Sequence, residues 1–245
     1  MNALFSALAS LFLCGVCSPM MASDDDSPWK AFDYPTLLKH HANVDDDYLR
    51  FINRPTMSMG LYRLTDGAKD KQQPHKYDEV YYVVKGSADL KIENKRFPMQ
   101  EESVAFVRAG VMHRFVELSE DFQVLVIFSL TESDPQDQAV KVVDLQTVRA
   151  EAKNDENVWS PFINVNSMRF GLYMLPEALG GDSTLTHKVD EVNIVVKGTA
   201  RFRMDEDEID VEPGSIIFVR SGIGHYFHDL SENFEVLILF EKSAS

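Results

Sequence analysis

Short apolar runs rich in Val, Ile, Leu, Phe and Tyr recur along this chain, broken by polar or turn-forming residues at intervals of about ten. Runs of that length, with β-branched and aromatic residues prominent, predict β-strands. The pattern places strands over 57–64, 78–84, 87–92, 103–107, 112–117 and 122–129, with counterparts further along. Gly86-Ser87, Ala109-Gly110, Gly198-Thr199 and Ser221-Gly222 mark tight turns. Within Phe32–Asp47, the run from Tyr34 to His41 reads as a short helix or arm, and Val143–Lys153 as a short strand and helix. His40 and His41 are adjacent, cannot share a strand face, and read as an exposed pair. Many evenly spaced antiparallel strands predict an all-β sandwich or jelly-roll barrel.

The pattern occurs twice. His75-Lys-Tyr-Asp-Glu79-Val-Tyr-Tyr-Val-Val-Lys-Gly86 returns as His187-Lys-Val-Asp-Glu191-Val-Asn-Ile-Val-Val-Lys-Gly198, displaced by 112 residues, and His113 and His225 follow at the same displacement. Upstream, Phe51-Ile-Asn53 matches Phe162-Ile-Asn164, and Gly60-Leu-Tyr62 matches Gly171-Leu-Tyr173, each displaced by 111. Two similar domains from an internal duplication follow. Their expected bounds are 31–130 and 143–245, joined by a polar linker over 131–142.

Composition narrows the function classes. A net charge of −15 over 245 residues argues against nucleic acid and anionic membrane surfaces as partners. Residues 1–22 hold an apolar stretch from Leu4 to Val16 that ends in small residues before Asp24-Asp25-Asp26, the pattern of a cleaved secretory signal. That stretch is too short to span a bilayer, so the expectation is export to the periplasm or the extracellular space, with no membrane span in the mature chain. Both cysteines, Cys14 and Cys17, lie inside it, leaving the mature chain without disulfides or thiolate chemistry. Exposed edge strands in such barrels invite a homodimer.

On a strand, residues an even number apart share a face. His75 and Glu79 can therefore face one interior together, and Gln73 can join them, with His113 arriving from a later strand. The second copy offers His187, Glu191 and His225. Two imidazoles and a carboxylate on an inner wall incur several kcal/mol of desolvation unless a cation compensates them. A divalent metal does so and keeps coordination positions open; the alternative is a hydrogen-bonded His–Glu pair on each strand face. The same parity puts Tyr77 and Tyr81 beside Glu79, with Phe115 beside His113, as candidate substrate contacts. In the second copy the equivalents are Val189, Asn193 and Phe227, while the odd spacing of His228 from His225 turns it away.

The arrangement His-x3-Glu-x6-Gly, with Gly-x2-His about 35 residues on, resembles the two signature motifs of the cupin superfamily, and its duplication resembles a bicupin. The resemblance covers about 57–130 and 168–241, and implies two tandem double-stranded jelly-roll barrels. Gln73 and Leu185 stand where the family's first motif usually begins with another histidine, and Arg108 and Arg220 where its second usually has proline. The resemblance also implies a divalent ion (Fe, Mn, Ni, Cu or Zn) and a small organic substrate. The function it implies is that of an exported metal-dependent enzyme, with dioxygenase or other oxidoreductase chemistry preferred. Lyase or isomerase chemistry, and a non-catalytic small-molecule-binding bicupin with a structural metal, are the alternatives.

Overall fold

The computed structural model describes residues 27–65, 67–152, 158–176 and 185–242. The segment 1–22, expected to be a secretory signal, lies outside them. The chain opens with β1 (Trp29–Asp33), α1 (Tyr34–His41) and β2 (Tyr48–Asn53). The first domain continues with β3 (Met57–Thr65), β4 (Glu79–Lys85), β5 (Ala88–Ile92), β6 (Lys95–Met99), β7 (Ser103–Val107), β8 (His113–Val116) and β9 (Asp121–Ser129). Then come β10 (Val140–Asp144), α2 (Leu145–Ala152) and β11 (Trp159–Asn164). The second copy follows as β12 (Met168–Leu175), β13 (Glu191–Lys197), β14 (Ala200–Met204), β15 (Asp207–Val211), β16 (Ser215–Val219), β17 (His225–His228) and β18 (Phe234–Glu241).

Each domain is a jelly roll of two sheets. In the first, a six-stranded sheet ordered β10-β7-β4-β9-β3-β2 faces a three-stranded sheet ordered β6-β5-β8. In the second, β1-β16-β13-β18-β12-β11 faces β15-β14-β17. The duplication extends to irregularities: the β4–β9 register shifts between Val83 and Lys85, and the β13–β18 register between Val195 and Lys197. Gly86 and Gly198 take φ of +79° and +75°, and a Cβ on Gly86 would lie 2.6 Å from the Asp121 carbonyl oxygen. That close approach at positive φ requires glycine.

The two large sheets pack face to face. Val80, Phe106, Leu125 and Ile127 from one meet Val192, Phe218, Leu237 and Leu239 from the other in one continuous core. Tyr81, Ala105, Val107 and Phe115 belong instead to the first domain's own interior. Strand β7 shows the rule: all five residues of Ser-Val-Ala-Phe-Val are buried, with Val104 and Phe106 facing the other domain and Ala105 and Val107 facing their own. A strand buried on both faces reads as an unbroken apolar run.

Sheet membership departs from the bounds expected from sequence. Strand β1 pairs along its length with β16 of the second domain, while β10, which begins inside the expected linker, pairs with β7 of the first. Each repeat thus lends its leading strand to the other. Strands β2 and β6 add to the expected set, as does β15. Asp33 caps α1, its Oδ1 accepting from the Thr36 amide at 2.9 Å, and Pro35 sits in the first turn. His41 is buried rather than exposed, with Nε2 3.0 Å from the Asp47 carbonyl oxygen. It follows Leu37 by four residues on the inward face of the helix, which turns the adjacent histidines apart.

Candidate metal centre

Glu79 is the first residue of β4, so the alternation of that strand sends Glu79, Tyr81 and Val83 into the first domain's interior and Val80 and Tyr82 toward the other domain. His113 opens β8 on the facing sheet, opposite Ile92. His75 lies ahead of β4, in a segment that is not a strand, and its carbonyl accepts from the Gly110 amide at 2.8 Å. These elements bring His75, Glu79 and His113 together, with their ligand atoms within 4.8 Å of one another. His75 Nδ1 lies 2.8 Å from Glu79 Oε2, and His113 Nε2 lies 3.1 Å from Glu79 Oε1.

The second domain repeats the arrangement. His187 Nδ1 is 2.6 Å from Glu191 Oε2, and His225 Nε2 is 2.7 Å from Glu191 Oε1. The Gly222 amide donates to the His187 carbonyl at 2.8 Å, and Phe240 packs edge-on to His187 as Phe128 does to His75. In both triads one histidine is half-buried and the other two groups are buried, so each centre is approached from the side of His75 or His187.

The donor set fits a cation. His113 Nδ1 lies 2.8 Å from the Val111 carbonyl oxygen, and His225 Nδ1 lies 2.9 Å from that of Ile223. A carbonyl can only accept, so Nδ1 carries the proton and Nε2 of the neutral ring is a bare lone pair. That lone pair faces a carboxylate oxygen, and two acceptors at this distance require a positive charge between them, a proton or a metal ion. Two imidazoles and one carboxylate make the three-ligand set that binds a divalent transition metal and leaves positions open.

Electrostatics agree. Burial pushes the Glu191 carboxyl up, but hydrogen bonding with His187 and His225 and a bond from Asn193 outweigh it and bring the group down to about 2. The hydrogen bond to Glu79 raises His75 against burial. Burial depresses His225, and the bond to Glu191 reverses this to a net rise. Tyr81 is held well above the ordinary phenol value by burial first and by Glu79 second.

The other sequence candidates fare differently. Gln73 does not join the triad: it is exposed, and its Nε2 is 3.4 Å from the Lys71 carbonyl. Strand parity does not apply there, because β4 begins only at Glu79. Tyr77 also lies apart from Tyr81, in a surface groove of about 580 Å³ with Lys76, Arg108 and Thr131. Tyr81 is fully buried, and its hydroxyl lies 2.7 Å from Glu79 Oε2, 2.7 Å from His113 Nε2 and 2.7 Å from Gln72 Oε1. Phe115 packs edge-on to Tyr81 at 5.0 Å, and Asn193 Nδ2 donates to Glu191 Oε1 at 2.9 Å. Sequence reasoning missed Gln72 and Asp70. Asp70 accepts from Tyr62 Oη at 2.9 Å and from the Phe115 amide at 2.7 Å, which anchors the loop that carries Gln72. His228 pairs with Glu208 at 2.7 Å, away from the triad.

Two jelly rolls fused in one chain, each with a His-Glu-His set on its inner wall, define a duplicated barrel protein able to hold metal. Comparison with known proteins agrees: the cupin domain family matches residues 60–128 and 172–240, more than half of the chain, and the protein belongs to that family. An uncharacterised protein of Streptomyces coelicolor is 44% identical over 104 residues, 42% of this chain and 99% of its own. Among solved structures, a salicylate 1,2-dioxygenase from Pseudaminobacter salicylatoxidans is similar over 93% of this chain and 87% of its own, with 12% identity and a TM-score of 0.71. A cupin 2 conserved barrel domain protein from Leptotrichia buccalis matches 87% of this chain and 96% of its own, at 16% identity and a TM-score of 0.64. At these identities the two structures share the fold with this chain.

Proposed function

We propose that the protein is a metal-dependent oxidoreductase that uses dioxygen on a small organic substrate. The observation that carries this is the two-histidine, one-carboxylate set in each domain, the donor set associated with iron centres that keep positions open for oxygen and substrate. Bound there, a redox metal supplies oxygen chemistry, whereas zinc supplies Lewis-acid polarisation for lyase or isomerase chemistry. The chain's own residues orient the ligands and hold hydrogen-bond donors at them. The Val111 and Ile223 carbonyls fix the tautomers of His113 and His225, presenting Nε2 inward. Tyr81 keeps its proton at Oη because burial and Glu79 oppose ionisation, and so stands as a hydrogen-bond donor in the first domain. Asn193 Nδ2 takes the donor's place in the second. The dioxygenase of similar fold, solved in complex with gentisate, supports phenolic or carboxylic compounds as the substrate class to test.

A second reading, ligand binding without turnover, is favoured in the first domain, where Tyr81, Gln72 and Phe115 crowd the triad. The deciding experiment purifies the protein without chelators, counts metal per chain, and follows oxygen uptake over a panel of phenols and carboxylic acids. Iron, manganese or copper with substrate-linked uptake supports the enzyme. Zinc, or compounds bound without uptake or product, overturns it. Export is proposed on the apolar run from Leu4 to Val16. A mature N-terminus near Ser23 supports it, and an intact Met1 overturns it.

A further inference from the structure

We propose that Ser167 and Thr56 are positioning residues, each acting on the triad of the opposite domain; this rests on the reading of the triads as metal ligands. Asp78 directly precedes the first residue of β4, and its carboxylate reaches Ser167 of the other domain while Glu79 enters its own domain's interior. Asp78 is fully buried there. Its Oδ1 accepts from the Ala109 amide at 2.8 Å, and its Oδ2 accepts from Ser167 Oγ of the second domain at 2.6 Å. Ala109 adjoins Gly110, whose amide donates to the His75 carbonyl, and the same turn leads through Val111 to His113. One carboxylate therefore ties the base of Glu79 to the turn that sets both histidines. Its second oxygen is held from across the interface.

The mirror image is present. Asp190 precedes Glu191, its Oδ1 accepts from the Ser221 amide at 2.8 Å, and its Oδ2 accepts from Thr56 Oγ1 of the first domain at 2.5 Å. Gly222, next to Ser221, donates to the His187 carbonyl. Backbone bonds hold each hydroxyl residue in turn: Leu130 donates to the Thr56 carbonyl at 2.8 Å, and Lys242 to that of Ser167 at 2.9 Å. Thr56 and Ser167 occupy equivalent places in the two repeats, displaced by 111 like their neighbours. Two independent copies thus show the same crossed tether, despite the change from Thr to Ser. Hydrogen bonds that orient ligands from behind are worth about 10-fold to 100-fold in metal affinity.

The test is titration of the metal-free full-length chain with Mn(II), read by the EPR spectrum of the bound ion. It is done in His225→Ala to isolate the first site and in His113→Ala to isolate the second. Ser167→Ala is expected to weaken the first site about 10-fold and alter its spectrum while leaving the second unchanged. Thr56→Val is expected to do the reverse, and Ser167→Thr and Thr56→Ser to restore affinity. Weakening of both sites alike, of the variant's own domain, or of neither overturns the proposal; thermal melts of the metal-free variants identify general damage to the interface. If His113→Ala and His225→Ala each keep two Mn(II), the ligand assignment fails instead.

Discussion

Tyr81 Oη lies 2.7 Å from His113 Nε2, the nitrogen left bare by the bond from Nδ1 to Val111, and among the described residues of the second domain no hydroxyl takes this place, Asn193 occupying the strand position. One phenol proton cannot serve both Glu79 Oε2 and Gln72 Oε1, which both face it. The two centres therefore differ in the hydrogen bonding made to the ligand atoms of an identical ligand set.

Replacing Tyr81 by Phe keeps the ring packed on Phe115 and removes the donor. First-site metal affinity is expected to fall about 10-fold, with the second site unchanged. Metal titration in the His225→Ala background checks this, and equal affinity in the two proteins would count against any role for the hydroxyl.

Arg149 on α2 forks onto Glu102 of the first domain, with both bonds at 2.7 Å, and sends Nε to Glu235 of the second at 2.7 Å. The bond to Glu102 first, opposed by burial and joined by Glu235, raises its pKa. Arg149→Met leaves two carboxylates facing each other and is expected to cost about 2–3 kcal/mol in urea unfolding. Arg149→Lys should recover only part of this, because an ammonium cannot make the fork.

The metal-free protein should be most stable in mildly acidic solution. Glu191 sits at about 2, below its ordinary 4.5, so its contribution is present above the unfolded value and is lost as pH falls toward 2. His225 is raised, so its contribution is full below about 6.5 and lost as pH rises through the folded value. Urea midpoints for wild type minus Glu191→Gln, measured at several pH values, should peak between about pH 5 and 6.5, with an acid-side swing on the order of 3 kcal/mol. A pH-independent difference would remove the pair as a source of stability.

Much of the site was legible because the repeat names it twice: His75, Glu79 and His113 stand out only when His187, Glu191 and His225 are aligned with them. Parity then placed Tyr81 and Asn193 correctly relative to the glutamates, since β4 and β13 begin there. It failed for Gln73 and Tyr77, because nothing local reveals that the chain before Glu79 is not extended in register with β4. The loop instead turns Gln72 inward through Asp70, a hydrogen-bonded arrangement with no periodic signature. The pairing of β1 with β16 was equally hidden. Trp29–Asp33 is a short strand in any context, and its partner lies nearly 190 residues away.

That exchange of leading strands bears on how the chain can be divided. A cut after Ala139 would give a first half carrying an arm shaped for β16, which it lacks, and missing the arm that covers β7. Such a half could close its bare edge by clasping a second polypeptide in a reciprocal embrace. The intact protein is that embrace made permanent by one peptide connection. Each half serves as the other's scaffold, so one centre can drift in chemistry while its partner keeps the shared framework in shape.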